Sequence, residues 1–276
     1  MFNGFERREI AELIWKKPYF VQIELTRNCN FKCIFCFENC SKETKYNDKN
    51  YEDWKKVIDE LKILGVKQVH FSGGENFLYK DFSRVVKYAS DNDFDILINT
   101  NGFFDISEVV SYAGQFVFSL HGYKEINEII TNMPKSFEKV EKNIGIALMN
   151  QKSVIINSVL VEENFKGYIK LFKYLESKYI GLKYSPTLAI KCKTGNKLYK
   201  PIELSKENLG LYQEILDLIG EEKLVYKHGL FGLRSNTYKN DFEMPVCAAG
   251  KSKLIIKYNG NVYPCNFFSD TRIFMR

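Results

Sequence analysis

Two spacings of apolar residues run through this chain, one suited to a helix and one to a strand. From Tyr19 to Thr26, Phe20, Ile23 and Leu25 mark a strand. From Tyr51 to Leu64, Trp54, Val57, Ile58 and Leu61 share one helical face, and Gly65 is placed to close that helix. A strand is predicted over Gln68–Ser72, broken by Gly73-Gly74, with a helix to follow over Asp81–Asn92. The same reading predicts strands at Asp95–Asn99, Phe116–Leu120, Val154–Val161 and Leu182–Ser185. Between them it predicts a short helix at Ile106–Ala113 and longer ones at Ser136–Asn150 and Asn164–Ser177, with Ser136 and Asn164 as N-caps.

Alternation of strand and helix implies parallel strands joined by right-handed crossovers. Six such units are legible, and a closed eight-stranded barrel would need two more. The expected fold is therefore α/β, an open partial (β/α)6 TIM-like barrel. Barrels of this kind carry their chemistry at the C-terminal ends of the strands. After about residue 190 the pattern changes to one helix, Glu203–Ile219, and a hairpin of Leu254–Tyr258 and Val262–Pro264 around Asn259-Gly260-Asn261. The expected organisation is an N-terminal extension over 1–17, the barrel over 18–190, and a small C-terminal β-hairpin/helical accessory region over 191–276.

A chain of 276 residues, 27% charged and 45% hydrophobic, has the composition of an ordinary globular protein with a sizeable core. No run of eighteen apolar residues predicts a membrane helix. Glu6, Arg7, Arg8, Glu9 and Glu12 interrupt the apolar core that a signal peptide needs, so a cytoplasmic location is expected. The net charge of +6 comes without a long basic run. That argues for a solvated lysine-rich surface rather than a nucleic-acid groove.

The seven cysteines change the picture. Their odd count and the expected reducing compartment argue against a disulfide framework. Cys29, Cys33 and Cys36 follow the first strand with the spacing C-x3-C-x2-C. Three close thiolates in one loop can wrap a single metal centre and leave one position open. Structural zinc prefers two separated Cys/His pairs, and no partner pair lies nearby. Cys40 is a possible fourth ligand, though a buried idle thiol is the simpler reading.

The string Thr26-Arg27-Asn28-Cys29-Asn30-Phe31-Lys32-Cys33-Ile34-Phe35-Cys36 resembles the radical SAM cluster motif, including the aromatic Phe35 before the third cysteine. The resemblance spans roughly residues 18–190. It implies that Cys29, Cys33 and Cys36 bind three irons of a [4Fe-4S] cluster, while the fourth iron chelates S-adenosylmethionine (SAM). It places Phe35 near the adenine. Reduction of the sulfonium would then release a 5′-deoxyadenosyl radical that takes a hydrogen atom from the substrate. The electron would come from a reductant such as flavodoxin or ferredoxin.

Further resemblances fall at strand ends. Gly73, Gly74 and Glu75 match the family's Gly-Gly-Glu motif, associated with holding the SAM methionyl amine, although Asn76 stands where proline is usual. Two glycines allow close approach of the backbone to a ligand. Ser119, ending the fourth strand, is the ribose candidate, and Asn157 matches a polar position of the fifth strand that approaches SAM. Asn99 to Gly102 ends the third strand, and His121 is read as structural.

Cys247 and Cys265 flank a stretch that resembles the opening of a SPASM or Twitch domain, where such cysteines bind an auxiliary Fe-S cluster. Two cysteines do not fill a cluster, so Cys192 or further ligands would be needed. With Arg276 eleven residues after Cys265, the expectation is a shortened chain or an incomplete auxiliary site. Relatives with such a region often modify peptides, which makes a peptide or protein the expected substrate and a ribosomal-peptide or sulfatase maturase the expected type. The alternatives are an enzyme of small-molecule cofactor biosynthesis and a non-catalytic metal-binding or electron-transfer protein.

Overall fold

The computed structural model describes residues 18–40, 47–189, 200–203, 205–225 and 253–265. Six parallel strands form its frame: β1 (Phe20–Glu24), β2 (Gln68–Ser72), β3 (Asp95–Thr100), β4 (Gln115–Ser119), β5 (Ser153–Leu160) and β6 (Leu182–Leu188). They pair in sequence order, and the sheet stays open between β1 and β6. The expected α/β partial barrel is the observed architecture.

Period-two alternation divides each strand between two environments. Val21, Ile23, Val69, Phe71, Ile96, Ile98, Phe116, Phe118, Val154 and Ile156 turn outward and are buried in the main core. Helices α1 (Tyr51–Ile63), α2 (Phe82–Asp91), α4 (Ser136–Met149) and α6 (Tyr168–Lys178) cover them. Trp54, Ile58 and Leu61 form the buried face of α1. Each such side chain contributes about 1.5–3 kcal/mol of apolar burial. On the inner face, Leu97, Val117 and Ile155 form a separate apolar layer capped by Val225. Above that layer the inward positions are polar: Ser72, Asn99, Ser119 and Asn157.

Local signals set the clearest boundaries. The Asn50 side chain accepts the Asp53 N–H to start α1. Gly65 N–H donates to Lys62 O and Val66 N–H to Leu61 O, closing it. Other expectations are corrected. Residues Ile106–Ala113 form successive turns instead of a helix, with Val109 N–H and Val110 N–H both donating to Ile106 O. Eight residues followed by Gly114 repay helix nucleation poorly. Ser136 lies inside α4 after Lys135, and its hydroxyl accepts from Asn127 Nδ2. Asn164 lies in the short helix α5 (Glu162–Phe165), which Gly167 separates from α6. The sequence reading missed α3 (Glu125–Thr131), which follows Lys124 at φ +47° without a side-chain cap and ends at left-handed Asn132.

Both open edges of the six-stranded sheet are occupied. Strand β7 (Lys253–Ile256) pairs parallel with β1, and β8 (Val262–Tyr263) pairs antiparallel with β7. The C-terminal hairpin thus continues the barrel sheet. On the other edge, the chain following α7 (Lys206–Ile219) lies beside β6, with Tyr184 N–H donating to Lys223 O and Val225 N–H to Tyr184 O. Covered edges of this kind prevent pairing with foreign strands.

Candidate functional site

A cavity of ≈ 360 Å³ opens at the C-terminal ends of the strands. The cysteine loop forms one wall: Cys29, Cys33 and Cys36 line it, together with Phe35 and Cys40. Gly73, Gly74, Ser119, Asn157 and His121 line the strand-end wall. The fold therefore brings the described sequence-selected residues to one place, with Glu75 and Cys265 as exceptions.

The cysteine loop is held from several sides. Lys32 N–H donates to Thr131 O and Ile34 N–H to Ile130 O, so the last carbonyls of α3 anchor it. Phe31 is buried edge-on against Phe103. Gly74 N–H donates to Thr26 O (2.9 Å) and Glu75 N–H to Asn28 O (2.7 Å). This backbone contact requires glycine: a Cβ on Gly74 would lie 2.2 Å from Asn28 O, and Gly73 takes φ +115° with its Cβ position 2.7 Å from Thr26 O.

Glu75 itself does not line the cavity. It is fully buried, with Oε1 accepting from Thr100 Oγ1 (2.8 Å) and Oε2 from Asn101 N–H (2.7 Å). Its carboxylate ties the Gly-Gly turn to the end of β3. Burial pushes its pKa up to about 7 against the pull of those donors. The consequence reaches the cysteines, because Asn101 Nδ2 donates to Cys29 Sγ (3.9 Å) and to Asn30 Oδ1 (2.8 Å). Asn101 sits in the strand-end run noted in the sequence, which gave no reason to link it with Cys29.

None of these thiols is held in a disulfide. Burial raises the Cys29 pKa to about 12 and raises Cys33 well above its ordinary value, with neighbouring thiolates adding to both. Cys36 is lowered to about 6, first by a hydrogen bond from Cys40, whose own pKa is pushed up by that contact. Among the described residues no three His, Cys, Asp or Glu side chains are disposed to hold one metal ion. A [4Fe-4S] cluster makes a different demand, with each thiolate on its own iron. Three thiols on one cavity wall, none in a disulfide, with an amide directed at one sulfur, fit that donor set. Loading it releases the protons that burial retains.

His121 is fixed at three points. Its N–H donates to Asn127 Oδ1, its carbonyl accepts from Asn164 Nδ2, and its Nδ1 accepts the Val159 N–H. Glu24 and Glu38 also border the cavity, and sequence reasoning missed both. The signal available for Glu24 was its place on the polar side of the β1 alternation, between Ile23 and Leu25. Cys265 lies just beyond β8, whereas Cys247 and Cys192 fall outside the described residues.

The sequence profile described as Radical SAM superfamily matches residues 23–175. GTP 3′,8-cyclase of Clostridium botulinum (strain Hall) is 29% identical over 207 residues, covering 70% of this chain and 63% of that protein. The chain thus spans less than two thirds of the length of these relatives. PqqA peptide cyclase of Bradyrhizobium diazoefficiens is 40% identical over 74 residues, 27% of this chain and 20% of that protein. Among solved structures, Streptococcus suis SuiB bound to precursor peptide SuiA superposes with a TM-score of 0.78 at 22% identity, covering 100% of this chain and 68% of that chain. This last likeness is one of fold.

Proposed function

The chain belongs to the radical SAM superfamily, and on that premise we propose that it modifies a peptide or protein side chain by SAM-dependent hydrogen abstraction. Cys29, Cys33 and Cys36 would bind the [4Fe-4S] cluster. The Gly73-Gly74 backbone, Phe35, Ser119 and Asn157 would receive SAM. When bound, the cluster and SAM supply electron transfer and homolysis of a sulfonium bond. The chain's own part is to seclude that chemistry: apolar Phe37, Val159 and Leu188 border the cavity and limit water. Reducing equivalents would come from flavodoxin or ferredoxin.

One observation carries the substrate reading. Among the described residues lining the cavity there is no lysine or arginine, and its two carboxylates, Glu24 and Glu38, are each paired with Lys257 behind the wall. A nucleoside triphosphate calls for cationic forks or clamps. A neutral or basic peptide segment does not. The similarity to PqqA peptide cyclase supports the same class. The longer alignment with GTP 3′,8-cyclase favours a second reading, a nucleotide or other small-molecule substrate.

Cys265 with Cys247 would contribute to an auxiliary cluster. About eight irons per chain would mean that it forms, and about four that these cysteines are structural.

The deciding experiment is anaerobic. The protein is reconstituted with iron and sulfide, reduced with dithionite and given SAM, and 5′-deoxyadenosine is measured beside Cys33→Ala. Wild type makes the product and the variant makes none. Adding either GTP or short peptides encoded beside the gene then separates the substrate classes. Stimulation by a peptide, with a mass change in it, supports the proposal. Stimulation by GTP alone replaces it with the second reading.

A further inference from the structure

The C-terminal hairpin is joined to the cysteine loop by buried charges. Lys257, the residue after β7, is 4% exposed. Its ammonium lies 2.9 Å from Glu24 Oε2 at the end of β1 and 2.7 Å from Glu38 Oε1, two residues beyond Cys36. Glu38 also faces the Arg27 guanidinium at 3.7 Å, and Arg27 Nη2 donates to the Glu38 carbonyl. One lysine thus bridges three segments, two of them separated from it by more than 200 residues.

A second contact holds the chain farther along, between the loop and α1. Lys49 N–H donates to Tyr258 O (3.0 Å), and the Lys49 carbonyl accepts from Tyr79 Oη (2.9 Å). The Lys49 side chain lies across the hairpin turn, where a Cβ on Gly260 would come within 2.1 Å of its Cε. The hairpin therefore touches the chain on both sides of the cysteines, at Glu24 before them and at Glu38 and Lys49 after them.

We propose that Lys257 is a positioning residue for the cluster: through Glu38 it holds the C-terminal arm of the cysteine loop against β1, so that cluster retention depends on the hairpin. The inference rests on the reading that Cys29, Cys33 and Cys36 bind the cluster. The ion group is nearly balanced, two carboxylates facing one ammonium and one guanidinium. Balanced and bonded, it fixes a geometry. With Lys257 removed, two buried carboxylates face each other and the loop arm is driven outward.

The test follows the visible absorbance and iron content of anaerobically reconstituted protein during incubation with a chelator. Glu38→Gln severs the tie to the loop but leaves Lys257 paired with Glu24, which keeps the hairpin docked. Lys257→Met severs both ties. Glu24→Gln leaves Lys257 on Glu38. Partners of metal ligands contribute 10- to 100-fold to metal affinity. The expected result is cluster loss about ten-fold faster in Glu38→Gln and Lys257→Met, with Glu24→Gln close to wild type and circular dichroism of Glu38→Gln unchanged. Loss at the wild-type rate in Glu38→Gln overturns the inference. Wild-type protein that takes up no iron overturns the cluster reading beneath it, which is a separate failure.

Discussion

The ring of Phe35 stands edge-on to the imidazole of His121, with centroids 4.8 Å apart and planes at 80°. This contact joins the cysteine loop to the end of β4 across the cavity. His121 Nδ1 accepts the Val159 N–H, which places the ring proton on Nε2. Burial lowers its pKa to about 3, so it stays neutral. Phe35 thus rests on a neighbour that neither rotates nor charges. Replacement by alanine removes the apolar platform proposed for the adenine. The expected outcome for Phe35→Ala is a SAM Kd raised about ten-fold, read by equilibrium dialysis on cluster-loaded protein with unchanged iron content. An unchanged Kd would remove Phe35 from the SAM site.

Glu75 offers a test of stability. Glu75→Ala strips acceptors from Thr100 Oγ1 and the Asn101 and Phe77 N–H groups in a fully buried position. Unsatisfied buried donors cost about 1–3 kcal/mol each, and partial relaxation brings the expected loss to about 3 kcal/mol. A urea midpoint shows it. Loss below 1 kcal/mol (roughly, for a single weak bond) would mean the turn holds without its latch.

Asn101 bears on the electronics of the proposed cluster. Its amide N–H reaches Cys29 Sγ, and hydrogen bonds to cluster sulfurs raise the reduction potential. Asn101→Ala is expected to move the potential to more negative values in a dye-mediated titration followed by electron paramagnetic resonance. A potential equal to wild type would assign Asn101 to loop structure through Asn30 alone.

His70 gives the chain a measurable acid response. It lies on the inner face of β2, with the Phe20 ring 5.5 Å away, and its buried Nε2 has no hydrogen-bond partner among the described residues. Burial lowers its pKa from 6.5 to about 4, aided by the Lys253 charge and opposed by Asn99. The folded state therefore resists a proton that the unfolded chain accepts. The stability is fully present above the unfolded value of 6.5 and is lost as pH falls toward 4. Between pH 7 and 5 the loss from this one group is about 2 kcal/mol. Urea unfolding of His70→Gln should be less sensitive to acidification over that interval than wild type by about this amount. Equal sensitivity would show that His70 takes up its proton in the folded state.

How far the sequence could be read follows from the distance over which each feature is determined. The outward halves of β1 to β5 and the buried face of α1 were legible because apolar spacing is written within one element. The cysteine motif was legible for the same reason: Cys29, Cys33 and Cys36 lie within one loop, and their spacing alone limits what they can wrap. Helix α3 was not, since it lacks a side-chain cap and runs for seven residues; docking against the rest of the fold, including the cysteine loop bonded to its last carbonyls, stabilises it.

Tertiary structure alone decided the connections between these parts. Asn101 meets Cys29 across 72 positions, and Lys257 meets Glu24 across 233. Both meetings depend on which strands neighbour each other and in what register, and apolar periodicity is silent about pairing. The same register turned Glu75 into the turn's anchor and placed β7 on the open edge of β1. The sequence by itself determined the layered strand–helix order and the ligand-bearing loop, because both follow from local sterics and spacing. Strand order and edge pairing are properties of the whole folded sheet, so only the tertiary structure could show what holds that loop in place.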